Sequence, residues 1–454
     1  MTMPHFTWAF RLSATVVTTC FLGAVSPPCA HARPQEPPPI NSVQRGTVAN
    51  ILREVHETLK HNYYDSSFHG VDIDSRYRAY DARIRAARDL PTAYRTIAAY
   101  LAGLDDSHTI FIPPEAGNRV LFGYRMQTIG DACFITDLRP GSDAARKLRR
   151  GDQVLSLDGY AVNSRDLWQL QYFLSEIALK SKSHFTLRGT DGATRNEMVE
   201  ADVEHGQGFR YLSLINGHGD TDTWHLRLER EAHDQLQRSR TAEQDGVLFW
   251  KFPAFFAKEE EIDHVVGLAR KHHAVILDLR GNSGGAEDVL ALMVGSMFDR
   301  DVTIGRKIMR KGERLLRAKW RGQDAYSGQL IVLLDSASAS AAEVFARVVQ
   351  LEHRGTVIGD RSGGRVMDAS VYPLREGAGT SLFYALLVST ADLLMADGKS
   401  LERVGVTPDV TVLPTALDLA EGRDPALSRA AALAGIKLDP ASAAKLFPAP
   451  WPSQ

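Results

Sequence analysis

Residues 330–365 read LIVLLDSASASAAEVFARVVQLEHRGTVIGDRSGGR, and this stretch decides the fold. It opens with an apolar run at 330–334 and passes through small residues into 341–350, whose apolar positions have helical spacing. A second strand-like run follows at 356–359. The pattern predicts a strand, a tight turn, a helix and another strand, with Ser340 at the start of the helix.

Ser340 has two interpretations at this position. Backbone N–H groups at a helix N-terminus have no partner within the helix, so they can stabilise an oxyanion beside a serine nucleophile. Ser340 and Glu343 also fit the capping-box pattern, in which the serine only fixes the start of the helix. The stretch by itself leaves both roles open.

Alternating strands and helices extend over residues 246–412 and predict a layered α/β core. Strand runs lie at 247–250, 274–279, 330–334, 356–359, 382–388 and 410–412, with helices at 258–272, 286–297 and 341–350. We expect parallel strand pairing with right-handed crossovers.

The chain has 454 residues, which is too long for one ordinary domain. We expect a signal peptide at 1–32, a Pro-rich linker at 33–41, a helical domain at 42–118, a β-rich module at 119–204, a connector at 205–243 with a strand near 223–228, the α/β core at 244–434 and a tail at 435–454. The predicted architecture is therefore a multidomain α/β protein.

The N-terminus is typical of a secretory signal. Arg11 precedes a mostly apolar stretch at 12–25 that is too short to span a bilayer, and Ala30-His31-Ala32 fits a cleavage site. We therefore expect export to the periplasm or the extracellular space, with no membrane span after cleavage. Cleavage would leave Cys133 without a disulfide partner.

Composition and charge exclude several classes of function. The net charge is −2, and no basic run indicates nucleic-acid binding. The cysteines form no ligand cluster and the histidines show no His-Glu-x-x-His spacing, so we predict neither a metal nor a cofactor.

The helical domain ends in the turn Asp105-Asp106-Ser107-His108-Thr109. A histidine where a loop meets a short strand is well placed for acid–base chemistry. An ordinary surface histidine in an Asp-rich turn is the alternative.

A glycine-rich turn, Gly281-Asn282-Ser283-Gly284-Gly285, follows the strand at 274–279. Its glycines allow a sharp turn that presents N–H groups to an oxyanion. The turn also matches the Gly-x-Ser-x-Gly nucleophile elbow, which would make Ser283 the nucleophile of an α/β-hydrolase-type esterase. That order fits badly, because His353 is the last histidine of the chain.

The β-rich module resembles a PDZ domain. The resemblance rests on PGSDAA at 140–145 and RGDQVLSLDG at 150–159. It implies that an extended peptide adds to a sheet edge, with Phe122, Gly123 and Tyr124 forming the loop that holds its terminal carboxylate. A module that only spaces its neighbours is the alternative.

Four motifs together resemble those of the C-terminal processing (tail-specific) proteases and tricorn-core serine peptidases. They are DSHT at 106–109, DLRGNSGG at 278–285, SASASAAE at 336–343 and VGVTPD at 404–409. The resemblance covers roughly residues 42–433 and implies a crotonase/ClpP-like α/β core.

The resemblance implies that Ser340 is the nucleophile, with Ala342 in place of the motif's second serine. One branch of the family uses a lysine base, and Arg365 occupies that position here. Arginine keeps its proton at usable pH, so a serine–lysine mechanism is not expected. Arg365 becomes a candidate for binding a substrate carboxylate.

The tricorn-like branch uses a histidine, and this branch fits better. It implies that His108 is the base, supported by Ser107, and that Glu402 orients it, in a triad like that of serine proteases. An ordinary surface carboxylate is the alternative for Glu402. Gly284 and Ala341 would supply the oxyanion hole.

The sequence therefore predicts an exported serine endopeptidase that cleaves peptides or protein tails through an acyl-enzyme. Its expected partners are peptide or protein substrates, recognised through their C-termini. The first alternative is a catalytically silent binding protein of the same fold, since fold does not establish activity. The second alternative is the Ser283 esterase.

Overall fold

Helices pack together in the N-terminal part of the protein. The computed structural model describes residues 38–114, 118–163, 167–177, 180–205, 239–377, 382–448 and 451. This part contains α1 (Ser42–Asn62), α2 (Ile73–Arg85), α3 (Leu90–Ala102) and the short strand β1 (Ile110–Ile112). Three helices lie in the range for which a helical domain was predicted, and the expected signal peptide lies outside the described residues.

Helix α1 forms because its apolar residues recur on one face and its first turn is capped. The buried positions include Val48, Leu52 and Leu59. Asn41 and Gln44 form a reciprocal capping box that satisfies amides of the first turn.

The β-rich module follows as a sheet with two short helices. Its elements are β2 (Asn118–Leu121), β3 (Tyr124–Ile129), β4 (Ala132–Leu138), α4 (Asp143–Lys147), β5 (Gln153–Leu157), β6 (Tyr160–Ala161), α5 (Leu167–Tyr172), β7 (Lys182–Arg188), β8 (Thr194–Glu200) and β9 (Asp202–His205). The sheet has the order β3-β4-β5-β7-β8, and β2 pairs with β9 apart from it. Strand β3 therefore lies at a sheet edge. The strand expected near 223–228 lies outside the described residues.

The core alternates strands and helices, as predicted. Its first elements are β10 (Arg240–Gln244), β11 (Val247–Lys251), α6 (Glu259–Ala269), β12 (Ala274–Asp278) and α7 (Glu287–Met297). They are followed by β13 (Val302–Met309), β14 (Glu313–Ala318), β15 (Gln329–Leu334), α8 (Ala341–Leu351) and β16 (Gly355–Gly359). The last elements are β17 (Met367–Glu376), β18 (Leu382–Met395), β19 (Val410–Thr411), α9 (Ala416–Glu421), α10 (Pro425–Leu433) and α11 (Pro440–Ala443).

One sheet of the core has the order β10-β11-β12-β15-β16-β19. Its strands from β11 onward pair in parallel, which confirms the predicted pairing. All five residues of β12 are buried, because helices cover both faces of such a sheet.

Strand β18 departs from the prediction. The run at 382–388 is the first half of a 14-residue strand in a separate antiparallel sheet of order β1-β18-β13-β14, with β17 also on β18. Much of β18 is buried, so its apolar run looks like that of a parallel strand. Its pairing with β1, in which Ile110 lies opposite Leu387, joins the helical domain to the core.

Every helix in the described ranges is too short or too polar to span a bilayer. Within the same ranges, no group of three or more His, Cys, Asp or Glu side chains is placed to hold a metal ion.

A buried ion network fixes the end of β12. The Asp278 carboxylate accepts hydrogen bonds from Lys251 Nζ at 3.1 Å and from Arg280 Nε at 3.0 Å. Arg280 also pairs with Asp424 beside α10. These cations hold the pKa of Asp278 well below its usual range although its burial acts in the opposite direction. The network anchors the first residues of the glycine-rich turn.

Asp278→Asn should lower the free energy of unfolding by about 3 kcal/mol, because it leaves the partly buried Lys251 without its carboxylate and Arg280 with Asp424 alone. Urea unfolding followed by circular dichroism measures the change. Asp324→Asn is the matched control, since Asp324 is 81% exposed in its pair with Arg270 and its loss should cost less than about 1 kcal/mol. Equal losses in the two variants would contradict the role given to the network.

Candidate active site

Ser340 is held in a strained conformation at the start of α8. Its φ is +54° and its ψ is −121°, a combination that side-chain-bearing residues rarely adopt. The Ser340 N–H donates to Arg365 O at 2.9 Å and to Glu343 Oε2 at 3.0 Å. Backbone strain of this kind persists only where surrounding contacts enforce it, and it concentrates at functional sites.

The Glu343 carboxylate is the centre of those contacts. It is fully buried and accepts further hydrogen bonds from Ser362 Oγ at 2.6 Å, Gly364 N at 2.7 Å and Arg365 N at 2.9 Å. Burial raises the pKa of Glu343, while these hydrogen bonds act to lower it. The capping pattern predicted only its bond to Ser340, and the other bonds connect the helix start to the turn that carries Arg365.

The glycine-rich turn packs against Ser340. A Cβ added to Gly284 would lie 2.5 Å from Ser340 Cβ, so only glycine fits. The Gly284 N–H donates to Asn282 Oδ1 at 2.8 Å, and Ala339 N donates to Asn282 O at 2.8 Å. Gly284 thus lies where the oxyanion hole was predicted, but its amide is already engaged by the Asn282 side chain. Ala341 is the first residue of α8, where the amide has no partner within the helix.

The histidine turn is anchored by Asp106. This buried carboxylate accepts hydrogen bonds from His108 N at 2.7 Å, Thr109 Oγ1 at 3.1 Å and Ser389 Oγ at 2.7 Å. Ser389 belongs to β18, so the same side chain fixes the turn to the core sheet. The sequence motif included Asp106 but gave no sign of this role.

Ser107 connects His108 to Glu402. His108 Nδ1 lies 2.8 Å from Ser107 Oγ, which donates to Glu402 Oε2 at 3.0 Å. Because that hydroxyl proton goes to Glu402, His108 Nδ1 is the donor to Ser107 and Nε2 carries the free lone pair. Glu402 also accepts from Ser107 N at 2.9 Å and Val366 N at 2.8 Å. The expected contact between His108 and Glu402 is therefore indirect.

Glu402, Ser107 and His108 form a relay of hydrogen bonds, and Ser340 is linked to it through the backbone. Arg365 accepts the Ser340 amide, and the next residue, Val366, donates to Glu402. Among the described residues, no hydrogen bond joins Ser340 and His108 directly. Catalytic hydrogen bonds are often long in enzymes without substrate and tighten only in the reacting complex.

Burial sets the charges of the relay. It lowers the pKa of His108 to about 4, and the nearby Arg365 charge acts in the same direction. It raises the pKa of Glu402 to about 7, against the hydrogen bonds that the carboxylate accepts. Near neutral pH the imidazole is uncharged and able to accept a proton, and Glu402 is close to its midpoint.

A cavity of about 1160 Å³ lies between the β-rich module and the core. Strand β3 and helix α5 form one wall, with Tyr124 and Trp168 among the lining side chains, and Ser336 and Arg365 lie on the core side. Phe122 also lines the cavity. Gly123, the third residue of the predicted peptide-binding loop, is not part of the lining, and its carbonyl accepts the Arg139 amide at 2.9 Å.

The module docks on the core through the end of β3. Ser336 Oγ donates to Thr128 O at 2.5 Å, and Gly130 N donates to Asp360 Oδ2 at 2.8 Å. These contacts close one end of the cavity and hold its two walls together.

Ser283, the alternative nucleophile, is exposed on the glycine-rich turn. In the part of the chain that the structure describes, no hydrogen bond connects it to a histidine. An esterase nucleophile requires such an acid–base partner.

Several known proteins are similar to this chain. Residues 249–412 match Peptidase family S41. The chain is 25% identical over 404 residues to the chloroplastic C-terminal processing peptidase of Tetradesmus obliquus, covering 81% of this chain and 79% of that protein. It is also 25% identical over 358 residues to the carboxyl-terminal-processing protease of Synechocystis sp., covering 75% and 76% of the two chains.

Solved structures agree in fold. Mature CPAF complexed with lactacystin superposes with a TM-score of 0.62 at 16% identity, over 84% of this chain and 96% of that one. The photosystem II D1 C-terminal processing protease gives a TM-score of 0.51 at 19% identity, over 82% and 94%. The predicted multidomain α/β fold is confirmed. The match and these relatives identify the chain as a serine-type peptidase whose core is similar to Peptidase family S41 over residues 249–412.

Gly284→Ala should reduce peptidase activity by about 100-fold, because the added methyl group displaces Ser340. Hydrolysis of a fluorescently labelled protein substrate measures the loss. Gly281→Ala is the matched control: Gly281 lies in the same turn with a φ of +69°, but a Cβ there meets no atom within 4 Å. If Gly284→Ala retained the activity of Gly281→Ala, close packing against Ser340 would not matter for catalysis.

Proposed function

We propose that the protein is an exported serine endopeptidase that cleaves peptides or protein tails, with Ser340 as nucleophile, His108 as general base and Glu402 as the third member acting through Ser107. The observation that carries this proposal is the relay from Glu402 through Ser107 to His108, which shares the turn at Arg365 and Val366 with the strained Ser340.

The proton path follows from the hydrogen-bond donors. His108 Nε2 takes the proton of Ser340 Oγ as that oxygen attacks the peptide carbonyl, and it later returns the proton to the leaving amine. The Glu402 carboxylate stabilises the transient imidazolium through the Ser107 hydroxyl. Water then hydrolyses the acyl-enzyme in a second passage through the same base.

The oxyanion site combines the Ala341 amide and the turn at Gly284. A free amide at the start of α8 is oriented toward a developing negative charge. The Gly284 amide joins it by exchanging Asn282 Oδ1 for the oxyanion, which requires little movement because Gly284 already touches Ser340.

The β-rich module acts as a PDZ-like peptide site in this proposal. Strand β3 is an edge strand, and its edge faces the cavity that reaches Arg365. An extended substrate tail adds to such an edge through backbone hydrogen bonds. Phe122 and Tyr124 then contact the peptide side chains.

Export is proposed from the signal pattern at 1–32. The missing hydrogen bond between Ser340 and His108, noted above for the described residues, is the one observation that favours a catalytically silent binding protein instead. The two functions differ in the reactivity of Ser340.

Ser340→Ala should abolish both peptide hydrolysis and covalent labelling by a fluorophosphonate, since only an activated serine reacts with that reagent. Mass spectrometry of the labelled peptide identifies the modified residue. Ser283→Ala is the control and should keep both properties. Unlabelled Ser340 in folded wild-type protein would contradict the peptidase proposal, and labelling of Ser283 would favour the esterase.

The value of kcat/KM should rise with pH through about 7, because Glu402 is protonated below that pH and cannot stabilise a charged His108. Glu402→Gln should lose this limb and lower the plateau by about 100-fold. The remaining limb should lie near pH 4, where the His108 imidazole itself takes up a proton.

Ser107→Ala interrupts the same relay and should also lose the limb near pH 7. Glu260→Gln also replaces a carboxylate by a carboxamide, at an exposed position on α6. It serves as the control and should leave the pH profile of kcat/KM unchanged. If the rise in kcat/KM near pH 7 persists in both relay variants, the titration of another group causes it.

A further inference from the structure

In the part of the chain that the structure describes, Arg365 is a cation whose side chain has no hydrogen-bonded or ion-paired partner, and it lies beside the proposed nucleophile. Its Nε lies 3.1 Å from the position of a Cβ on Gly363, so its side chain runs back over that glycine and into the cavity. In the described residues, its guanidinium makes neither a hydrogen bond nor an ion pair. Burial lowers the pKa of Arg365, and the negative charges of Glu343, Glu402 and Asp335 act in the opposite direction.

The three carboxylates whose charges act on Arg365 accept hydrogen bonds from other groups. Glu343 and Glu402 each accept several hydrogen bonds from backbone amides and serine hydroxyls. Asp335 Oδ1 accepts from Gly281 N at 2.8 Å and Ala337 N at 3.1 Å. A partly buried guanidinium that only stabilised the fold would be expected to pair with one of them.

The other cations of the cavity differ from Arg365. Arg403 pairs with Asp105, and Arg125 pairs with Asp137 at 3.4 Å. Arg361 is exposed, so water screens its charge. Arg365 is therefore the partly buried and unpaired arginine of the cavity lining within the described residues, and an incoming anion would meet its charge.

We propose that Arg365 binds a carboxylate of the peptide substrate and thereby fixes the scissile bond a few residues away from that carboxylate. The planar guanidinium presents parallel N–H donors that match a carboxylate in a bidentate pair. This proposal rests on the proposed role of Ser340 as the nucleophile.

The backbone limits the distance between a carboxylate bound by Arg365 and the scissile bond. The Arg365 carbonyl accepts the Ser340 amide at 2.9 Å, so the guanidinium lies within the length of its own side chain from the nucleophile's backbone. An extended peptide advances ~3.3 Å per residue. A carboxylate on Arg365 thus leaves room for only a few residues before the scissile bond. The enzyme would remove short tails of nearly constant length.

The carboxylate has two sources, the free C-terminus or an Asp or Glu side chain. Three peptides that differ only at their C-terminal end separate them: one with a free C-terminus, one amidated, and one amidated with glutamate in place of the last residue. Wild-type kcat/KM should be about 10- to 100-fold higher for a carboxylate-bearing peptide than for the plain amide. Preference for the free acid alone identifies the C-terminus, and equal use of the glutamate peptide identifies the carboxylate in general.

Arg365→Gln should reduce the ratio of kcat/KM between the carboxylate-bearing and plain amidated peptides to near 1. Arg365→Lys should give an intermediate ratio, because lysine keeps the positive charge but lacks the parallel N–H donors of the guanidinium. Arg429→Gln, an exposed arginine on α10, is the charge-matched control. Lengthening the free-acid peptide at its C-terminal end should move the cleavage site along with the C-terminus in the wild type. A ratio near 1 in the wild type, or one that survives in Arg365→Gln, overturns the proposal.

Binding tests the proposal without catalysis. Calorimetry with Ser340→Ala should show tighter binding of the free-acid peptide than of the amide, and the double variant with Arg365→Gln should bind both equally. Fluorophosphonate labelling of Ser340 tests the peptidase function by itself. The failure of one proposal is therefore distinguishable from the failure of the other.

Discussion

The buried carboxylate of Glu343 is the interaction on which the active site depends. It gathers amides from both sides of the site and the Ser362 hydroxyl, so that the start of α8 and the turn at Arg365 cannot move independently. Without these donors the desolvation of the carboxylate would be costly, and without the carboxylate the positive φ of Ser340 would relax. A single side chain thereby maintains the backbone strain of Ser340 and the path of the neighbouring loop.

The carboxylates of Glu343, Asp106 and Glu402 accept hydrogen bonds from different donors, and these donors indicate a different role for each carboxylate. Glu343 accepts mainly backbone donors and organises structure. Asp106 ties the histidine turn to β18. Glu402 alone contacts the hydroxyl that touches His108, and burial brings its pKa to about 7. A carboxylate with such a pKa is placed to respond to the charge on His108.

The cavity gives the β-rich module and the core a common surface. Short contacts at the end of β3 hold the module against the core, and the edge of β3 faces Arg365 across the space between them. In the proposed function, substrate recognition and chemistry therefore take place on walls that belong to different parts of the chain. The carboxylate site proposed at Arg365 would connect the length of a bound tail to the position of the scissile bond.

The sequence by itself determined the local structure: the helical spacing of α1, the strand, turn and helix around Ser340, and the glycines that turn sharply at 281–285. These features follow from residue periodicity, capping and glycine geometry, which act over a few positions. Family resemblance added His108 and Glu402, but not the Ser107 bridge between them. Only the tertiary structure decided that residues 295 positions apart meet, that β18 joins an antiparallel sheet, and that Arg365 lacks a partner among the described residues. Those outcomes depend on which buried surfaces pair across the whole chain, and no local pattern contains that information.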